Sequence, residues 1–306
     1  MDNKHPLVSV FVVTYNAGEY ICETLDSIKV QTYDNIELIV SDDHSSDDTV
    51  SLVNEWMDKN KERFARTEVI TVDHNTGVSA NYNRAVRACR GEWVKNVDGD
   101  DLLFRECIQD NITYVLKNQE VMLVFSNVEV INGKSIENKN REFFTDEMKL
   151  FFDLSVEDQF KYLLQNSILP SQSCFIKRSL LVQFPYNENY RGLEDAPMWI
   201  TLTKNGYKAY YFDKFTAYYR LDESMTSSRK RYFSSVYIES SFGFFWNEKV
   251  KYIKENNLVD AYNSNRRFLL LLEFTESILK NKKNKFNDFI FKIARRIIYK
   301  FISFNI

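Results

Sequence analysis

The sequence predicts an α/β fold, with a mainly parallel central sheet, flanking helices and a helical C-terminal extension. Three observations carry the prediction. Short β-branched runs alternate with helix-period segments over the first hundred residues. Several of these runs end in polar or acidic loops, where open α/β sheets keep their ligand sites. Beyond Lys230 the chain reads as helical almost throughout.

Taken in order, Leu7–Thr14 (LVSVFVVT) is a buried parallel strand by composition. Glu19–Val30 places Tyr20, Ile21, Leu25 and Ile28 at helical spacing. Ile36–Val40 is a second strand, ending at the acidic loop Ser41–Asp48. Thr49–Asn60 returns to helical spacing through Val50, Val53, Trp56 and Met57. Glu68–Val72 and Ser79–Cys89 read as a third strand and helix, and Trp93–Val97 as a fourth strand ending in Asp98-Gly99-Asp100-Asp101. A helix over Arg105–Asn118 and a strand over Val121–Val130 follow. Asn132–Asn166 is irregular and aromatic-rich. Ser173–Ile176, Ala209–Phe212 and Ala217–Tyr219 are later strands, with a helix near Ala196–Asn205. There is no internal repeat and, with 8 Gly and 4 Pro in all, no linker of that composition. We expect a catalytic-type domain over 1–228 and a helical extension over 229–306.

The 306 residues, 44% hydrophobic and 27% charged, suffice for a sizeable core without disulfides or a structural metal. Cys22, Cys89, Cys107 and Cys174 form no C-x-x-C pair, and with three histidines in all a Cys/His zinc site is not expected. The formal charge of −3 conceals an asymmetry. Residues 280–306 carry eight basic and one acidic side chain, net +7, whereas residues 1–279 carry 32 basic and 42 acidic, net −10. An acidic body excludes a surface devoted to nucleic acid. The N-terminus lacks a signal-peptide pattern, and no run approaches the roughly 18 apolar residues of a membrane span, so a cytoplasmic protein is expected.

Carboxylates gather after two strands, as Asp42-Asp43 and as Asp98-x-Asp100-Asp101. Residues i and i+2 of a strand share a face, so Asp98 and Asp100 can address one site. Repelling carboxylates there call for a cation, and hard oxygen ligands suit Mg²⁺ or Mn²⁺. Such a metal would be shared with substrate phosphates. The D-G-D-D tetrapeptide alone is equally compatible with a polar turn bent at glycine.

The order of motifs resembles the family 2 glycosyltransferases. The matching pieces are Val10–Asn16 (VFVVTYN), Glu37–Thr49 (ELIVSDDHSSDDT), Asn75–Ala88 (NTGVSANYNRAVRA) and Gly91–Leu102 (GEWVKNVDGDDL). Gly192–Trp199 (GLEDAPMW) resembles the family's E-D motif, and Tyr218–Thr226 (YYRLDESMT) its closing Y-R-x-H-x-x-S motif. The resemblance spans residues 7 to about 226 and implies a GT-A fold, whose central sheet is Rossmann-like. It also implies a nucleotide-activated sugar donor, here a UDP-sugar, with Mn²⁺ or Mg²⁺ as cofactor.

The resemblance further implies roles. Thr14, Tyr15 and Asn16 would line the base and ribose pocket, and Asp42 would accept the imide N–H of the base. Asp43 would brace the loop. Asn75, Gly77 and Arg84 would lie near the nucleotide, Arg84 against phosphate or solvent. Asp98 and Gly99 would meet the nucleotide-sugar, Asp100 the metal, with Asp98, Asp101 and Asp222 as further metal candidates. Asp195 would be the catalytic base of an inverting displacement, with Glu194 and Trp199 on the acceptor side, Trp199 more in packing than against sugar. Two departures stand out: His44 where glycine is frequent, and Asp222 where histidine is frequent.

Phe286, Phe289, Ile290, Ile293, Ile297, Phe301 and Phe304 recur at spacings of three and four, among Lys292, Arg295, Arg296 and Lys300. This basic amphipathic helix either docks on the protein's own core or lies on an anionic membrane, where a lipid-linked saccharide acceptor would wait. The alternatives to a transferase are a haloacid-dehalogenase-like phosphatase or a non-catalytic Mg²⁺-binding phosphoacceptor or scaffold. D-G-D-D-L follows the fourth strand rather than the first and lacks Thr or Val at Leu102, which argues against the phosphatase.

Overall fold

The computed structural model describes residues 5–131, 142–166, 169–220 and 230–304. The first half alternates strand and helix: β1 (Val8–Thr14), α1 (Ile21–Lys29), β2 (Ile36–Asp42), α2 (Thr49–Asn60), β3 (Arg66–Ile70), α3 (Val78–Ala88) and β4 (Trp93–Asp98). Next come β5 (Leu102–Leu103), α4 (Cys107–Lys117), β6 (Leu123–Ile131), α5 (Asp146–Lys149), α6 (Val156–Gln165), β7 (Cys174–Lys177), α7 (Arg178–Gln183), α8 (Asp195–Lys204) and β8 (Tyr210–Arg220). The C-terminal helices are α9 (Ser235–Phe244), α10 (Val250–Glu255), α11 (Val259–Ser277) and α12 (Lys285–Phe301).

One sheet runs in the order β3-β2-β1-β4-β7-β6-β8-β5. Its β3-β2-β1-β4 half is parallel, whereas β7 pairs antiparallel with both β4 and β6. Every residue of β1 and β2 is buried, which is why both read as predominantly apolar runs, and the polar pair within them, Ser9 and Glu37, is hydrogen-bonded. Their side chains alternate between two cores. Val8, Val10 and Val12 meet α1 and α2 through Ile21, Leu25, Val53 and Trp56, while Phe11 and Val13 meet α3 through Tyr82, Ala85 and Val86. Phe244, Phe245, Ile253, Leu269 and Leu272 of the C-terminal region join this second core. Asn265 on α11 donates to the Leu164 carbonyl at 2.8 Å, tying the extension to α6. All four cysteines are free thiols.

The expected elements are corrected in two places. The run Asn132–Asn166 holds a helix, α6, where irregular structure was expected. Ser155 caps it by accepting from the Asp158 N–H at 3.1 Å. The aromatic residues around it, weak helix formers, masked that start signal. Ala209–Phe212 and Ala217–Tyr219 are one strand, β8, whose exposed Asp213 and Lys214 mimic a turn. Its register against β6 shifts around Asn127, so the irregularity is a bulge within a continuous pairing.

Register decides what the sheet presents. Thr14 pairs with Asp42 and Val13 with Asp98, which brings the ends of β1, β2 and β4 level. The acidic loops therefore open at one edge of the parallel half.

Candidate active site

Asp42 and Asp43, adjacent in sequence, have different duties. Asp42 closes its own loop by accepting from the Ser45 N–H at 2.8 Å and from the Ser45 hydroxyl. Asp43 accepts from the Thr76 hydroxyl at 2.5 Å, the Thr76 N–H at 3.0 Å, the Gly77 N–H at 2.8 Å and Arg84 at 2.9 Å. Burial alone would raise the Asp43 carboxyl, but these donors outweigh it and hold it below the usual carboxylate range. Asp43 is thus the brace that the sequence suggested. Arg84 belongs to the same network. Its guanidinium is engaged with Asp43, Ser41, Thr76 and Asn81, and its side chain is 14% exposed.

Gly77 carries φ = 96°, a conformation that other residues rarely adopt. His44 also lies in the left-handed region, at φ = 70°, which accounts for glycine being frequent there; a Val72 carbonyl contact at 3.2 Å anchors the ring. Thr14 is buried at the end of β1, and its hydroxyl has no hydrogen-bond partner among the described residues. A Cβ on Gly99 would come within 2.8 Å of that oxygen, so only glycine fits. Tyr15 is exposed beside it, and Asn16 joins the second loop through the Ser46 N–H at 2.8 Å.

Beyond β4 the carboxylates converge. Asp98 accepts from the Tyr82 hydroxyl at 2.8 Å and from the Gln172 amide at 2.6 Å. Burial raises its pKa, opposed by these two bonds and by the buried Lys95. Lys95 is fully buried and donates to the Gln172 and Cys174 carbonyls behind the site. Asp101 is raised well above its usual range by burial and by the charges of Asp100 and Asp98. One of its oxygens accepts the Arg220 N–H at 2.8 Å; the other is buried without a partner among the described residues. Arg220 also donates to the Asp100 carbonyl at 2.7 Å and pairs with Glu23 at 2.9 Å.

The E-D pair reaches this site from the far side of the chain. Glu194 precedes α8 and Asp195 begins it, accepting the Ala196 N–H at 2.5 Å. Burial pushes Asp195 up to about 6, against the pull of the Ala196 N–H and with help from Asp98. Glu194 is raised well above its usual range by burial, Asp195 and Asp98. Their loop is fastened to the nucleotide-side loop. Arg191 donates to the Asn75 carbonyl at 2.9 Å and to the Asn75 side chain at 3.2 Å, and the Val78 N–H donates to the Arg191 carbonyl at 3.3 Å. Trp199, expected on the acceptor side but more in packing than against sugar, packs in the core. It is 2% exposed, edge-on to Phe125, and bonds the Leu169 carbonyl at 2.9 Å. Asp222 lies outside the described residues.

The Asp42 loop, the Asp98–Asp101 loop and the Glu194-Asp195 pair thus form one acidic cleft, and the comparisons supply the family. A family model described as "Glycosyl transferase family 2" matches residues 9–184, more than half of the chain. The chain belongs to glycosyl transferase family 2.

Among relatives of this glycosyltransferase, an Escherichia coli protein named UDP-Glc:alpha-D-GlcNAc-diphosphoundecaprenol beta-1,3-glucosyltransferase WfgD is 29% identical over 225 residues, covering 73% of this chain and 81% of that protein. Solved structures extend the likeness in fold. S. aureus TarS 1-349 in complex with UDP-GlcNAc superposes with a TM-score of 0.60 at 18% identity, over 94% of this chain and 79% of that one. This chain spans 46% of the longer TarS structure. The Pyrobaculum calidifontis mannosyltransferase PcManGT, solved with GDP-Man and Mn2+, gives 0.55 at 18% identity over 98% of this chain and 72% of that one. These matches show the GT-A architecture.

The glycosyltransferase cleft has a donor set suited to a divalent cation. Among the described residues no three His, Cys, Asp or Glu side chains form a complete cage. Yet the partnerless Asp101 oxygen stands on the same turn as Asp98 and Asp100. A buried carboxylate oxygen without a donor is costly, and one or two protein carboxylates are what Mg²⁺ takes when phosphates complete its shell.

Sequence reasoning missed Tyr82, Gln172, Lys95 and Arg191. Tyr82 left a legible signal, since a phenol on the apolar face of a helix must find a buried acceptor. Gln172 left none, because it reaches Asp98 across 74 residues.

Proposed function

We propose that this family 2 glycosyltransferase is an inverting enzyme. It moves a hexose or N-acetylhexosamine from a UDP-sugar to a hydroxyl of a lipid-linked saccharide, in bacterial polysaccharide, capsule or O-antigen assembly. The observation that carries this reading is the approach of Asp195 to the Asp98 loop. The Asp98 charge raises both Glu194 and Asp195, and Arg191 clasps their loop to Asn75. A base and a nucleotide-side acidic loop therefore share one cleft.

Asp195, tuned to about 6, is largely ionised at neutral pH yet basic enough to take a proton from the acceptor hydroxyl as that oxygen bonds to the anomeric carbon. The bond to the diphosphate breaks with its electron pair leaving on UDP, so configuration inverts and no covalent intermediate is needed. Glu194 orients the acceptor. Asp42, two residues from the exposed rim of its loop, accepts the uracil imide; Thr14, Tyr15, Asn16 and Asn75 line the base and ribose side. Asp100, with Asp98 and Asp101, would hold Mn²⁺ or Mg²⁺, which supplies Lewis-acid stabilisation of the departing diphosphate. The printed names of the relatives support the donor and acceptor classes, TarS through its UDP-GlcNAc complex and WfgD through its diphosphoundecaprenol acceptor.

Titration calorimetry of UDP with and without Mn²⁺ tests the reading. Binding that strengthens with metal, together with slow UDP-sugar hydrolysis stopped by EDTA, is the expected result. Absence of UDP binding in both conditions would sink it.

A further inference from the structure

Helix α12 has three distinct faces. At ~100° per residue, Asn287, Phe291, Ala294 and Ile298 fall on one side, and this is the side that docks. Ile298 is buried, Phe291 stacks on Tyr232 with ring centroids 4.7 Å apart, and Asp288 at the edge of this side accepts the Tyr232 hydroxyl at 2.5 Å. Phe286, Phe289, Ile293, Ile297 and Phe301 form a second side. All five are exposed, Phe286 at 71% and Phe301 at 70%. The third side is cationic. Lys292, Arg295 and Arg296, with Tyr299, line an open groove of about 390 Å³.

A docked helix ordinarily turns its apolar stripe inward. Here docking uses other residues and leaves a five-residue aromatic and aliphatic stripe facing water. Exposed apolar surface of this extent marks an interaction site. Its neighbours define the partner. The basic side flanks the stripe along the length of the helix, so one surface offering anionic groups and apolar chains side by side satisfies both. A second copy of this chain does not, since symmetric pairing would oppose two stretches of net charge +7. Insertion across a bilayer is not available either, as no described helix is long and apolar enough to cross one.

We propose that α12 is an interfacial anchor for an anionic phospholipid surface. The stripe from Phe286 to Phe301 enters the headgroup–acyl boundary, and the Lys292–Arg295–Arg296–Tyr299 groove takes lipid phosphates. The Lys230 carbonyl accepts the Lys283 N–H at 2.9 Å just before α12, and Arg220 sits on Asp101 at 2.8 Å. The ten-residue step between them reaches at most roughly 36 Å. The start of α12 is therefore tethered within that reach of the Asp101 turn. The inference rests on α12 alone and stands whichever sugar is transferred.

The test is co-sedimentation of the full chain with vesicles of phosphatidylcholine, alone or mixed with phosphatidylglycerol. Binding to the mixed vesicles only, weakening as salt rises, is expected. Lys292→Ala/Arg295→Ala/Arg296→Ala should lower partitioning about a hundredfold, and Phe286→Ser/Phe289→Ser should lower it at least tenfold. Both variants replace exposed side chains, so UDP affinity and far-UV circular dichroism should match the parent. Equal binding to neutral vesicles, no binding to either, or variants that bind like the parent would overturn the proposal. So would a concentration-dependent dimer, abolished by Phe289→Ser, in a protein that ignores vesicles.

Discussion

Tyr82, in the middle of α3, donates its phenolic proton to Asp98 at the end of β4 across 2.8 Å. The ring packs edge-on against Phe11 and Tyr186, so its position is set by the core and its hydroxyl is delivered to the cleft. The bond favours the ionised form of a carboxyl that burial would otherwise neutralise.

Tyr82→Phe keeps the ring and removes that donor. UDP-sugar turnover, read as kcat/KM, should fall roughly fivefold to a hundredfold, the worth of about 1–3 kcal/mol for a lost bond to a buried carboxylate. Thermal stability should change far less, because both aromatic contacts remain. An unchanged kcat/KM would reduce Tyr82 to packing.

Asp195 ties activity and stability to pH in opposite directions. As a base it works ionised, so kcat/KM should climb through about pH 6 and then level. For stability, its folded pKa of about 6 lies above the ordinary Asp value of roughly 3.9. The unfolded chain gives up this proton first, so the group destabilises the fold progressively as pH rises between those values and fully above them. Asp195→Asn should therefore cost transfer roughly a hundredfold to ten-thousandfold, while stabilising the metal-free protein above pH 6 on the order of 1–3 kcal/mol. UDP affinity should hold. Its loss would refute the assignment as base.

Arg84→Ala removes the cation from a nearly buried Asp43. A buried charge stripped of its partner costs about 3–5 kcal/mol, measurable by urea denaturation. Asp43 is depressed in the fold, so its contribution is present above its unfolded pKa and lost as pH falls through the folded value. The variant should accordingly unfold at higher pH on acidification than the parent. UDP binding should weaken as well, since Asp43 also holds the Thr76 and Gly77 N–H groups. If affinity survives the loss of stability, that loop is not part of the nucleotide pocket.

Much of this was legible in the sequence. β1, β2 and β4 announce themselves because strands buried on both faces are rich in β-branched and apolar residues, and the loops after them could be named because parallel strands present those ends together. The C-terminal tail docks on the protein, the first of its two expectations. α12 docks through Phe291 and Ile298, outside the sequence-read stripe, and leaves Phe286, Phe289, Ile293, Ile297 and Phe301 of that stripe exposed, while Phe304, expected in the same helix, lies beyond its end and packs on the core.

Sequence by itself determined the alternating elements, the acidic loops, the E-D pair and the charge of the tail, because each is a local pattern of side-chain size, period or charge. Tertiary structure alone decided which donors each carboxylate receives. Thr76, Gly77 and Arg84 converge on Asp43, while Asp42 is held by Ser45 of its own loop. Asp98 becomes a fixed acceptor only when Tyr82 and Gln172 arrive from distant segments. Hydrogen-bond partners and desolvation set a carboxyl's role, and both are supplied by residues far away in the chain, where no spacing rule operates.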